Sequence, residues 1–211
     1  MRPQTACICR WVTTTRNQAE VLILQHPLEV HHAKGSARLL HLSLQRSQLH
    51  TGEVFAEQEL RTMLQQPLAQ GQHDQPAGSP VAVLLYPDSP GMPPPPPLDP
   101  AALREPARLR LVVLDGTWRK SRKMLYQNPL LQQLPRLPLH DAPASRYRIR
   151  QAHQAGQLST LEAACHALMA IERAEEKYQA LLQAFDGFVA QQLGYRDGAP
   201  PPDRPHREND V

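Results

Sequence analysis

The chain has 211 residues, 41% of them hydrophobic and 20% charged, enough apolar side chains for one packed domain and too many for wholesale disorder. Its net charge of +3 is too small an excess to establish a polyanion partner, so any nucleic-acid surface must be a local patch. No run approaches the roughly 18 consecutive apolar residues of a spanning helix, and no signal-peptide core opens the chain. These features argue against a membrane protein and lead to the expectation of a cytoplasmic one with its three cysteines reduced.

In chain order, residues 21–24 (VLIL) read as a first buried strand, followed by His26-Pro27-Leu28-Glu29. His26, His31, His32 and Lys34 form a polar, potentially cationic cluster there and are candidate RNA contacts. Ala37, Leu40 and Leu44 carry a helical period, as do Leu60, Met63, Leu64 and Leu68. A second strand, 81–86, ends in Tyr86-Pro87, and a third occupies 109–114. Apolar strands alternating with helical segments predict an α/β fold, its sheet mostly parallel and its helices on both faces. Proline, with 22 copies, is about twice as frequent as usual and concentrates at 93–97 and 200–205. Residues 88–108 are therefore expected to run as an extended surface linker inside one domain, 1–195, and 196–211 as a disordered tail. A less favoured use of 93–97 is display to a proline-binding module.

The most informative stretch joins the third strand to a basic helix, Leu114-Asp115-Gly116-Thr117-Trp118-Arg119-Lys120-Ser121-Arg122-Lys123-Met124. Ligands of open α/β sheets collect at the carboxyl ends of strands, which is where Asp115 falls. Gly116 lets the backbone turn close to a ligand, and Thr117 has the side chain of a helix N-cap. On a helical projection Arg119, Lys120, Arg122 and Lys123 share one face, opposite Trp118, Ser121, Met124 and Leu125. No acid lies nearby in the sequence to pair the four cations, so the face is a candidate phosphate contact. Arg146, Arg148 and Arg150 alternate and would share one side of an extended segment, facing RNA phosphates or a carboxylate. Ser159-Thr160-Leu161-Glu162 has the form of a capping box opening a helix through Cys165, Leu168, Met169, Glu172 and Glu176. Tyr178 to Val189 suggests a second helix or an extension, and Cys165 reads as a core thiol.

Taken together, these motifs resemble the DTW-domain family of tRNA-uridine aminocarboxypropyltransferases. Asp115-Gly116-Thr117-Trp118 matches the motif that names the family. His26-Pro27-Leu28-Glu29, Tyr86-Pro87, Ser145-x-Tyr147-Arg148-Ile149-Arg150 and Ser159-Thr160-x-Glu162-Ala163 accompany it in order. The resemblance implies a fold related to the knotted SPOUT methyltransferases, with S-adenosylmethionine as cosubstrate in the strand-end loops. It also implies transfer of a 3-amino-3-carboxypropyl group to N3 of a tRNA uridine, with no catalytic metal and no obligate protein partner.

On that basis Pro87, Leu114, Gly116 and Thr117 would line the adenosine site and Trp118 would wall it, unless Trp118 is an anchor on the apolar helix face. Tyr147, Arg148 and Thr160 would complete the pocket. Uridine N3 must lose a proton, so Asp115 is the candidate general base, the alternative being a cap on the following helix. Two features depart from the family. Only Cys7-Ile8-Cys9 remains of a frequent N-terminal cysteine cluster, too few for a four-ligand zinc site, so either the true start lies upstream or the metal is lost. Ser36 stands where the family has threonine. Methyl transfer from the same cosubstrate, or RNA binding without catalysis, are the alternative functions.

Overall fold

A computed structural model describes residues 7–30, 35–66, 78–87, 94–139 and 158–197. Its centre is a four-stranded sheet of order β2-β1-β4-β3, every neighbouring pair parallel. The strands are β1 (Glu20–Gln25), β2 (Ser47–Thr51), β3 (Val81–Leu84) and β4 (Leu109–Asp115). The α/β, parallel-sheet expectation therefore holds. β2 adds a strand whose sequence, SQLHT, has no apolar run and buries little.

Helices cover both faces, and period-2 alternation assigns the side chains. Val21 and Ile23 of β1, with Leu111 and Val113 of β4, meet α1 (Ala37–Ser43), α5 (Thr160–Glu172) and α6 (Glu175–Asp197). Leu22 and Leu24, with Val112 and Leu114, meet α2 (Glu57–Gln65), α3 (Trp118–Gln127) and α4 (Pro129–Gln132). Truncating one of these central side chains to alanine costs about 2–5 kcal/mol. The helical segment begun at Thr160 stops at Glu172, and Arg173 turns the chain in the left-handed region (φ 51°), so Glu176 belongs to α6. Cys165 lies in the core, and burial raises its thiol pKa.

Polar pairs close both ends of the β1–β4 ladder. At the start, Glu20 and Arg110 are register partners and form a buried ion pair. Arg110 also donates to the Met63 and Gln66 carbonyls at the end of α2, which have no helical partner, while Arg46 reaches Glu20 at 2.9 Å. At the other end, Gln25 is opposite Asp115.

One expectation needs revision. The 88–108 linker is not extended throughout: one-turn 3-10 helices occupy Ala102–Arg104 and Pro106–Arg108, and Leu98, Ala102 and Leu103 pack on the core. The expected knotted path is not established by the described residues, which leave out 140–157, and the expected tail 196–211 also lies outside them apart from the last turn of α6. Among the described residues no helix is long and apolar enough to cross a membrane.

Candidate active site at the strand ends

β1 and β4 finish side by side, and the chain leaves both through short turns. The His26 amide donates to the Asp115 carbonyl at 2.9 Å, which extends the ladder by one bond. Gly116 follows in a tight space: a Cβ there would stand 3.1 Å from Lys120 Cβ and 3.5 Å from the Ser121 nitrogen. Thr117 then caps α3, its hydroxyl accepting from the Lys120 amide at 3.4 Å.

Asp115 is the centre of the cluster and is only 4% exposed. The Gln25 carboxamide donates to one carboxylate oxygen at 2.8 Å and the Thr160 hydroxyl to the other at 2.6 Å. Thr160 opens α5, whose start is fixed by the Ser159–Glu162 capping box at 3.2 Å and 2.8 Å and by the Ser36 hydroxyl, which accepts from the Leu161 amide at 3.3 Å. Ser36 thus uses the hydroxyl it shares with threonine. The positive end of the α5 dipole therefore faces a buried carboxylate, a favourable arrangement. Asp115 does not cap α3; Thr117 does that. A carboxylate has about four lone-pair sites, so two neutral donors fix its position and leave acceptor capacity for a third.

His26 is buried. Its Nδ1 accepts from the Leu28 amide at 3.1 Å, capping a 3-10 turn, Pro27–Glu29, which makes Nε2 the protonated nitrogen facing Glu53 at 3.2 Å. Both ring nitrogens are thus used inside the protein, which makes His26 a brace for the loop rather than an open RNA contact. Glu53 also meets Lys123 at 2.8 Å, and these bonds, Lys123 first, lower its pKa.

The α3 cations are not all free, contrary to the expectation of a helix face without acids in reach. Lys120 pairs with the buried Glu29 at 2.8 Å and Lys123 with Glu53, acids supplied by loops distant in sequence. Arg119 and Arg122 are exposed and, among the described residues, make no ion pair. Trp118 is not an apolar-face anchor. It is 48% exposed, because it is the first residue of α3 and sits at the rim, its ring edge-on to Tyr86 with centroids 5.7 Å apart. Tyr86 is buried beside Ser121, and burial raises its phenol pKa.

The fold thus gathers Pro87, Leu114, Asp115, Gly116, Thr117, Trp118, His26 and Thr160 at one end of the sheet. Tyr147, Arg148, Arg150, Arg146, His31, His32 and Lys34 lie outside the described residues. Sequence reasoning missed Gln25, whose only signal was a polar residue ending an apolar run, and Glu53, which had none.

Known proteins resemble this chain over most of its length. Over 200 residues the chain is 29% identical to tRNA-uridine aminocarboxypropyltransferase 2 of Drosophila melanogaster, spanning 91% of this chain and 72% of that protein. The proteins of the same name from Macaca fascicularis and Mus musculus are 26% and 27% identical over 91% of this chain, which spans 61% of the length of each. No solved structure matches. The DTW domain model matches residues 1–193. Because that match runs from residue 1 into α6 and takes in all four strands with the whole strand-end cluster, the chain belongs to the DTW-domain family.

Proposed function

We propose that this protein transfers the 3-amino-3-carboxypropyl group of S-adenosylmethionine to N3 of a uridine in tRNA, in the cytoplasm, releasing methylthioadenosine. The observation that carries the reading is Asp115, a buried carboxylate held by two neutral donors at the carboxyl end of a central strand. The names of three relatives support the reaction class.

The residues present fit the cosubstrate. Gly116 lets the chain turn tightly from β4 into α3 at the strand end, and the exposed Trp118 ring offers a π face suited to a cation. Pro87, Leu114, Gly116 and Thr117 would line the adenosine, with Tyr147 and Arg148 completing the pocket. S-adenosylmethionine supplies a sulfonium whose γ-carbon is open to displacement. The work of the chain is to aim that carbon at N3 and to accept the N3 proton. Asp115 is the acceptor, and Gln25 and Thr160 hold it in place. The α3 cations and Arg150 would hold the RNA backbone, Arg119 and Arg122 directly and Lys120 and Lys123 where their acids leave them reach.

The test is incubation of purified protein with unmodified tRNA and S-adenosylmethionine, followed by mass spectrometry of the sulfur by-product and the digested nucleosides. Methylthioadenosine with an aminocarboxypropyl-uridine is expected. S-adenosylhomocysteine with a methylated base, or no product from any tRNA, overturns the reading.

A further inference from the structure

Trp118, Arg122 and Tyr126 stand at i, i+4 and i+8 of α3, so their side chains form one stripe along the helix. Both rings are open to solvent, Trp118 by 48% and Tyr126 by 44%. The Arg122 guanidinium sits over the Tyr126 ring, 5.6 Å from its centre. The stripe starts beside Asp115, since Trp118 is three residues on, and runs about 12 Å outward at 1.5 Å per residue.

Among the described residues its charge meets no acid where its rings are exposed. The two lysines of α3 are drawn to Glu29 and Glu53, whereas Arg119 and Arg122 meet no acid among the described residues. An alternation of π faces and unpaired guanidinium along a line is the chemistry that holds unpaired bases, each stacking on a ring while the arginine meets base or phosphate. Duplex RNA offers neither open base faces nor a groove that such a stripe could enter.

We propose that the Trp118–Arg122–Tyr126 stripe is a stacking platform for two or three unpaired nucleotides adjacent to the reacting uridine. At about 3.4 Å per nucleotide, its 12 Å length matches that number of stacked bases. The inference rests on the reading above only for where the reaction takes place.

The experiment uses the full chain and the fluorescence of its tryptophans, titrated with an eight-nucleotide oligouridylate and separately with an RNA duplex of the same length. The chain has two tryptophans, and Trp11 is buried under α6, so quenching reports on Trp118. Saturable quenching by the single strand and much weaker binding of the duplex are expected. Tyr126→Ala should weaken the single strand roughly 5- to 100-fold, with Tyr126→Phe within about twofold of the parent. Arg122→Ala should in addition lower the slope of log Kd against log salt by about 0.7. Equal binding of duplex, or Tyr126→Ala binding like the parent, overturns the platform. Single-strand binding of this kind in a chain that releases no methylthioadenosine with tRNA retires the functional reading and leaves the platform standing. Turnover of tRNA with an unchanged KM in Tyr126→Ala retires the platform alone.

Discussion

Replacing Asp115 with asparagine separates the charge of this side chain from its shape. The carboxylate accepts from Gln25 at 2.8 Å and Thr160 at 2.6 Å. In the variant, the asparagine oxygen still accepts from the freely rotating Thr160 hydroxyl. Its new NH2 meets the Gln25 NH2, a clash of donors that a flip of the Gln25 carboxamide relieves. Both bonds survive but change from charged to neutral, from about 1.5–3 to about 0.5–1.5 kcal/mol each, so stability falls by about 2–3 kcal/mol. For a chain of this length the melting temperature should drop by roughly 4–12 °C.

A lost proton acceptor costs far more in rate than in stability, about 10²- to 10⁴-fold in kcat, with KM for tRNA changed much less. Thr160→Val is the matched control. It removes one of the two bonds but keeps the charge, so its melting temperature should fall similarly while kcat falls less than about tenfold. Both variants are assayed for methylthioadenosine release well below their melting temperatures. If Asp115→Asn keeps kcat within about threefold of the parent, Asp115 is not the proton acceptor and the reasoning fails.

Other outcomes follow from the packing. Gly187→Ala, which on helix propensity alone should stabilise α6 by about 1 kcal/mol, is expected to destabilise the protein by at least about 1–3 kcal/mol in urea titration. The added methyl would stand 2.1 Å from the Trp11 ring, whose indole N–H is tied to Gln191 one helical turn on. In native buffer a thiol reagent should modify Cys7 and Cys9 and leave the buried Cys165 unmodified until denaturant is added, so three equivalents reacting at once would contradict the core assignment. His41 is held below its ordinary pKa of 6.5, chiefly by burial and then by Arg38, so the unfolded chain binds the proton first. Its contribution to stability is complete above about pH 6.5 and is lost as pH falls through the lowered value, because there the unfolded state carries more protons. His41→Gln should flatten the decline of the urea midpoint between pH 7.5 and 5.5, and an unaltered decline would exclude His41 as its source.

The apolar runs at 21–24, 81–86 and 109–114 announced three of the four strands because both faces of each are covered by helices. β2 escaped notice because its residues, SQLHT, are mostly only half-buried and form no apolar run, whereas β3, at the opposite edge, buries Val83 and Leu84. The capping box at Ser159 was legible because it is local chemistry, made of residues three apart. Asp115 was legible for a similar reason, as an acid that ends a strand. Its partners Gln25 and Thr160 are 90 and 45 residues away, and nothing local ties them to it. The basic face of α3 misled for the same cause: Lys120 and Lys123 find Glu29 and Glu53 only after folding has brought two loops to the helix.

The hub at Asp115 also bears on when the fold is complete. Its three members belong to β1, β4 and α5, so it needs contacts across most of the sequence, the kind whose closure is slow. A growing chain in which α5 has not yet left the ribosome can already pair β1 with β4 but holds Asp115 with one donor missing. The hub is therefore completed only when α5 docks, among the last core helices to be made.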